Sequence, residues 1–245
     1  MTSTTFSWCS RAVLPFALVL GLASAPASAA LQTYGFGNIT NNNSVNAATG
    51  EAQLFVDVTD NGVLAGQTAF TFRNIGLLAS SITDIYFDNG TLLGIASIVN
   101  GPLGVSFSQG ASPGELPGAN NATPDFETSD GFLADSDSPT QPNGVNPGEF
   151  VTILFNLING QTIDDVFAAL DLGLALNDEN DDPTGALRIG IHVQGFANGG
   201  SESFINTDCV EGCSDIPGEI PEPESLALIG VGLLGLAATR RRRTV

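Results

Sequence analysis

The stretch FVTILFNL, residues 150–157, decides the fold class because its apolar residues occupy every second position. Val151, Ile153, Phe155 and Leu157 would share one side of an extended chain, while the residues between them face the other. This period of two is the pattern of a β-strand with one buried face. The stretch therefore predicts a strand of a sheet that is covered on one side.

The same alternation recurs on both sides of this stretch, and turn residues separate the segments that carry it. Asn89-Gly90, for example, is a strong signal for a two-residue hairpin turn between two of them. Many short strands without a strand-helix-strand rhythm predict an all-β fold, and we expect an antiparallel β-sandwich. The segments with the alternating pattern are residues 51–60, 67–74, 81–88, 91–99 and 187–196.

One segment departs from the period of two. Ile163, Val166, Phe167 and Leu170 follow the i, i+3, i+4, i+7 spacing of an apolar helix stripe. Thr162 stands where an N-cap is needed, and acidic residues follow it in the first turn. The sequence therefore predicts one short helix beside the sheet.

The charge of the chain is strongly asymmetric. The formal net charge is −19, yet residues 31–220 contain 24 acidic residues against only Arg73 and Arg188, a net charge of −22. Such a surface repels nucleic acid, so nucleic acid is not an expected partner. With one histidine, no lysine and no nucleophile motif, the sequence also favours a protein that is not an enzyme. An enzyme that acts on glycans by means of two carboxylates is the third interpretation.

The first 29 residues have the three-part plan of a secretory signal peptide. A single Arg11 precedes the apolar run 12–22, and small residues follow, ending in Ala27-Ser28-Ala29. The expected cut lies after Ala29, which makes Ala30 the first residue of the mature chain. An N-terminal signal helix is therefore predicted, and with it export.

The exported part divides into an acidic β-sandwich body, residues 30–206, and a polar stalk, residues 207–220. Within the body, residues 109–148 contain six prolines and little periodicity, which is typical of a functional or a mobile loop. Cys209 and Cys213 are candidates for a disulfide in an oxidising compartment, and half of a metal site is the alternative.

Two sets of polar residues are candidates for ligand binding. Asp178, Asn180 and Asp182 recur at every second position and could offer three oxygen ligands to Ca²⁺, although the EF-hand pattern then fails because residue 183 is proline and residue 189 is isoleucine. A solvated acidic loop is the alternative. Arg188, His192 and Gln194 would share the polar side of one strand, a face expected to be wet, where they could bind an anionic or sugar ligand.

The C-terminal residues 221–245 have three parts in a fixed order. Pro221, Glu222 and Pro223 come first, then the apolar span 226–238, and finally a basic cluster that comprises Arg240, Arg241, Arg242 and Arg243. The span gives roughly 20 Å of helix, short of the ~20 residues that a stable transmembrane helix needs. The arginines would hold the end of the chain in the cytoplasm. The sequence predicts a short transmembrane helix that makes a poor permanent anchor.

This order of parts resembles the PEP-CTERM sorting signal of Gram-negative bacteria, a domain also labelled as the C-terminal domain of ice-binding proteins. The resemblance implies recognition of Pro221, Glu222 and Pro223 by an exosortase, transient retention in the membrane, and processing near this motif. An ordinary anchor that stays in place is the alternative. Ice binding has no support in the body, where Thr68 and Thr71 are the nearest approach to a regular threonine spacing.

The family is associated with bacteria that make exopolysaccharide and biofilms. We therefore expect a protein of the cell surface or extracellular matrix with a structural or adhesive role, whose partners are an exosortase and exopolysaccharide or other matrix components. A carbohydrate-binding module, with or without Ca²⁺, is the second interpretation. No other cofactor is expected.

Overall fold

The computed structural model describes residues 30–88, 92–129, 133–158 and 160–213. The predicted signal peptide, the Asn89-Gly90 turn and the whole segment 221–245 lie outside these residues. Among the residues that are described, no helix combines the length and the apolar composition that a membrane span requires.

Ten strands and three α-helices make up the described part of the chain. The strands are β1 (Leu31–Asn38), β2 (Leu54–Thr59), β3 (Gln67–Asn74), β4 (Ser81–Asp88), β5 (Leu92–Asn100), β6 (Phe107–Gln109), β7 (Leu133–Ser136), β8 (Phe150–Leu157), β9 (Arg188–Gln194) and β10 (Glu202–Glu211). The helices are α1 (Ser44–Gln53), α2 (Thr140–Asn143) and α3 (Ile163–Ala175).

All ten strands form one antiparallel sheet in the order β5-β8-β3-β2-β1-β10-β9-β4-β7-β6. The all-β antiparallel class is confirmed, but the predicted sandwich of two separate sheets is wrong. The reason is that the first strand, β1, pairs with both β2 and the last strand, β10, so hydrogen bonding continues from one half to the other. The edge strands β5 and β6 contact each other, so the sheet is nearly closed.

The core lies between the two halves of this sheet and is centred on phenylalanine rings. Phe87 of β4 meets Phe70 of β3 at 5.4 Å, Phe155 of β8 at 4.7 Å and Phe72 of β3 at 6.1 Å between ring centroids, each pair edge to face. Because β4 is far from β3 and β8 in the strand order, these contacts cross the interior. They hold the folded-over sheet together, and edge-to-face geometry adds to the burial energy.

The predicted helix is confirmed as α3. Thr162 and Asp165 form a reciprocal capping box at its start, in which the backbone N–H of Thr162 donates to the Asp165 carboxylate at 2.7 Å. Its apolar stripe joins the main core through Val166 and Leu170, which are both buried. The helical spacing of the apolar residues therefore predicted the position of this helix correctly.

The expectation of a single helix is wrong. The segment 31–50 contains β1, which is a central strand, and most of α1. The helix begins after Asn43, whose side chain accepts from the backbone N–H groups of Val45 and Asn46, and this cap compensates for a weakly apolar sequence. Ala52, predicted on a strand face, lies in this helix.

The last strand, β10, was not predicted from the sequence. β10 continues to Glu211, so residues 207–211 are strand and not stalk. Cys209 and Cys213 are joined by a disulfide, with 5.8 Å between their Cα atoms. Cys209 is also the register partner of Tyr34, so the disulfide lies at the end of β10 that pairs with the start of β1.

Replacing Phe87 with alanine should destabilise the fold strongly. The ring is fully buried and meets three others across the interior, so its loss should cost about 3–5 kcal/mol in the free energy of unfolding. Phe150→Ala is the matched control, because that ring is partly exposed on β8 and should cost no more than about 1 kcal/mol. Urea unfolding measures both, and equal losses would contradict a core centred on Phe87.

Candidate functional site

A second layer covers the outer face of β4 and β9. Residues 110–129, the first part of the proline-rich segment, fold over this face and bury a small cluster that comprises Tyr86, Leu116, Ala122 and Phe126. The Tyr86 hydroxyl donates to the carbonyl oxygen of Pro113 at 3.1 Å. Desolvation by burial, followed by the charges of Asp84 and neighbouring carboxylates, raises the pKa of Tyr86. We call residues 110–129 the cover segment.

Gly190 of β9 allows the cover segment to approach the sheet closely. A Cβ at this position would lie 2.8 Å from Leu116 Cδ2 and 3.1 Å from Phe126 Cζ, both closer than normal packing permits. The missing side chain therefore makes room for the two apolar residues that anchor the cover. Sequence reasoning gave no role to this glycine.

Arg188 fastens the cover segment to the sheet by charge. Its Nε donates to Asp88 Oδ2 at 3.0 Å, and its Nη2 pairs with the same oxygen. The guanidinium also donates to the carbonyl oxygens of Pro124 and Asp125, each at 2.6 Å, and its Cζ lies 5.4 Å from the centre of the Phe126 ring. A buried arginine with all these partners is fully used inside the fold.

The predicted wet strand face is therefore wrong. Arg188 is only 5% exposed, His192 is largely buried, and Gln194 is half-buried. The alternation placed these side chains correctly on the side opposite the core, but it carried no information about the cover segment. Arg73, the other arginine of the body, pairs with Asp57 at 2.6 Å. Both arginines of the body thus lie in ion pairs within the chain.

The outer surface of the cover segment has an open groove of about 490 Å³. The exposed carboxylates of Glu115, Asp125 and Glu127 line it, with Leu116 and Phe126 among its apolar lining residues. Carboxylates can accept hydrogen bonds from hydroxyl groups and attract cations. The Phe126 ring is buried against Arg188, so it is not presented as a platform on which a sugar could stack.

Two carboxylates and the single histidine of the chain lie together on the outer face of the sheet. Asp135 of β7, Asp84 of β4 and His192 of β9 are consecutive register partners across three strands. His192 Nδ1 lies 3.1 Å from Asp84 Oδ2, and the Thr83 hydroxyl donates to the same carboxylate oxygen at 2.7 Å. The antiparallel register thus assembles a row of titratable groups from distant parts of the sequence.

Asp135 of this row has a shifted pKa. Desolvation by burial, and then the charge and hydrogen bond of Asp84, raise the pKa of Asp135 to about 6, with a smaller contribution from Asp137. Two adjacent carboxyl groups, one of them with a raised pKa, are an arrangement that acid-base hydrolysis can use. Asp84 is nearly inaccessible, however, and the groove is lined by other carboxylates. This geometry favours a structural role for the pair.

The predicted calcium ligands lie in an exposed loop between α3 and β9. Asp178 accepts from the backbone and side-chain amides of Asn180 at 2.9 and 2.6 Å, and Asp182 accepts from the backbone N–H of Thr184 at 2.9 Å. The hydrogen bonds from Asn180 lower the pKa of Asp178, and hydrogen bonds from the side chain and then the backbone of Thr184 lower the pKa of Asp182. Among the described residues, no group of three His, Cys, Asp or Glu side chains is placed to hold a metal ion. The calcium site stays a prediction from spacing.

The other predicted site residues fall at the ends of the chain. Ala30 is described and leads directly into β1. Ala27, Ala29, the motif Pro221–Pro223 and the cluster Arg240–Arg243 lie outside the described residues.

The C-terminus has a clear counterpart among known protein families. Residues 219–243 match the family model described as the PEP-CTERM protein-sorting motif. The chain thus carries the signal of an exported protein that is sorted by an exosortase. Comparison with the curated proteins and with the solved structures gives no match.

Replacing Arg188 with methionine should release the cover segment. The variant leaves Asp88 without its buried partner and two carbonyl groups without donors, so we expect a loss of about 3 kcal/mol. Hydrogen exchange should rise within residues 110–129 more than in the sheet. Arg73→Met removes the more exposed ion pair and should cost less than about 1 kcal/mol. Unchanged exchange in the Arg188 variant would refute the fastening role.

The raised pKa of Asp135 should make the protein less stable as the pH rises from about 4 to about 6. Over this range the folded state retains a proton that the unfolded state has lost, so the free energy of unfolding falls with pH. Because Asp135 is partly exposed, solvent screens its charge, and we expect the free energy of unfolding to fall by about 1 kcal/mol over this range. Asp135→Asn should flatten this fall, whereas Asp208→Asn, at an exposed position on β10, should not. Equal pH profiles for all three proteins would contradict the shift.

Proposed function

We propose that this chain is a structural or adhesive component of the bacterial cell surface or extracellular matrix. The observation that carries the proposal is the PEP-CTERM motif at residues 219–243, joined to a strongly acidic β-sheet body. The motif directs sorting at the cell surface, and the body would supply a charged surface at the destination.

The charge of the body suits a component of a hydrated matrix. Both of its arginines are engaged in ion pairs with Asp57 and Asp88, so the remaining acidic residues give the surface its charge. Such a surface stays hydrated, repels like-charged polymers at low salt, and can be bridged to acidic polysaccharide by divalent cations. These properties favour matrix components over nucleic acid as partners.

The tail would act in two steps. The apolar span 226–238 would hold the protein in the membrane after export, with Arg240–Arg243 on the cytoplasmic side. An exosortase would then recognise Pro221, Glu222 and Pro223 and remove the tail, which carries most of the basic charge of the chain. The mature protein would reach the surface as the acidic body.

Carbohydrate binding is the second candidate, and the groove lined by Glu115, Asp125 and Glu127 favours it. Its carboxylates could accept hydrogen bonds from sugar hydroxyl groups, with Ca²⁺ at Asp178, Asn180 and Asp182 as a further possibility to test. A glycan array probed with the mature protein, with and without Ca²⁺, separates the two candidates. Binding that Glu115→Gln weakens would favour the module, and no binding would favour the structural role.

Changing the sorting motif should trap the protein in the membrane. In a bacterium that has an exosortase, we expect the surface form of the wild-type chain to lack residues 240–245. Glu222→Ala should retain the tail and move the protein to the membrane fraction, as should deletion of the exosortase. Glu224→Ala, just beyond the motif, is the matched control and should sort normally. Mass spectrometry of the C-terminus decides, and an intact Arg240–Val245 end on the surface form would overturn the proposal.

A further inference from the structure

The start of β1 is held by a hydrogen bond from its backbone to a side chain. The backbone nitrogen of Ala30 lies 3.1 Å from Asp60 Oδ1, which follows the end of β2. The carbonyl oxygen of Ala30 accepts from the Thr59 hydroxyl at 2.6 Å, and its methyl group packs against the main core. Both polar groups of this residue are therefore fixed by the end of the neighbouring strand.

The sequence makes this nitrogen chemically distinct. The signal-peptide pattern places the cut between Ala29 and Ala30, one residue before the first strand begins. Hydrolysis by a signal peptidase adds the hydroxyl of water to the Ala29 carbonyl carbon and leaves a protonated amine on Ala30. Because the chain contains no lysine, this amine is the only primary amine of the mature protein.

We propose that removal of the signal peptide creates an ion pair between the α-ammonium group of Ala30 and the carboxylate of Asp60, which tightens β1 against β2. Before cleavage the contact is a hydrogen bond from a neutral amide, whereas afterwards opposite unit charges meet at the same atoms. Charge-assisted hydrogen bonds are about twice as strong as neutral ones. The inference rests on the export in the proposed function and on the signal-peptide cut predicted after Ala29.

The acidic body strengthens this arrangement. The body contains 24 acidic residues, and its two arginines are already paired. The α-ammonium group of Ala30 is therefore attracted to a nearby carboxylate, and Asp60 already lies within hydrogen-bond distance of it. Since Ala30 directly precedes the central strand β1, which lies between β2 and β10, the ion pair acts on the middle of the sheet. Export processing would thus complete the fold.

The absence of lysine gives a direct test. The full chain is exported with its own signal peptide, the mature form is purified, and its mass identifies the first residue. The α-amine is then acetylated with an N-hydroxysuccinimide ester, and the rate is followed by mass spectrometry. We expect Asp60→Asn to raise the rate about two- to fivefold, while Asp208→Asn, which removes an exposed carboxylate from β10, leaves it unchanged.

A stability measurement separates the ion pair from other effects of Asp60. Asp60→Asn should lower the melting temperature of the free-amine protein near pH 6.5, and the difference should shrink above pH 9, since an ordinary α-amine titrates near pH 8. After acetylation of the wild-type protein and the Asp60→Asn variant, the difference between their melting temperatures should also be smaller.

The outcomes distinguish this inference from the proposed function. A mature chain that begins elsewhere than Ala30 would overturn the inference and leave sorting through the C-terminal tail intact. A chain that begins at Ala30 but reacts equally fast with and without Asp60 would overturn the ion pair alone. Failure to be exported would overturn the proposed function itself.

Discussion

The pairing of β1 with β10 is the constraint on which the rest of the structure depends. It joins β5-β8-β3-β2-β1 to β10-β9-β4-β7-β6, so two five-stranded halves become one sheet. The strands of this pair are about 170 residues apart in the sequence. Their closure must therefore overcome a large loop entropy, and burial of the aromatic rings between the halves supplies the compensating energy.

A buried carboxylate secures the same junction from its other end. Glu202, at the start of β10, accepts hydrogen bonds from the Asn38 side chain, the Thr40 hydroxyl and the backbone N–H groups of Asn42 and Asn43. The loop that follows β1 is thereby tied to the strand that β1 pairs with. Asn43 in turn caps α1, so one acidic side chain positions the junction and the beginning of a helix.

Local features of this fold could be read from the sequence, and long-range ones could not. Period-two alternation located β8 and β9, and the apolar stripe with Thr162 located α3, because these patterns lie within a few neighbouring residues. α1 was missed because its apolar stripe is weak and its cap residue sits in a run of asparagines that reads as a turn. The single continuous sheet was missed because strand pairing has no local signature.

In the candidate site too, local features could be predicted from the sequence and long-range contacts could not. Alternation correctly put Arg188 and His192 on the face opposite the core, yet the face is covered because residues 110–129 return to it. Nothing in the cover segment repeats with a helix or strand period, so its packing depends on single contacts such as Gly190 with Leu116. The sequence did offer one signal for this site. Arg188 is one of only two arginines in a strongly acidic body, and a buried arginine needs a carboxylate partner.

The positive charges of the chain fall into two groups with different roles. Inside the body, Arg73 and Arg188 serve the fold, each paired with an aspartate of its own sheet. The remaining arginines belong to the terminal segments, where by our proposal they give orientation during export and are removed with those segments. A body that depended on lysines or on the terminal arginines for its stability would be weakened by such processing. Because its cations are buried or paired in the sheet, the body can lose both ends of the precursor and keep the interactions that fold it.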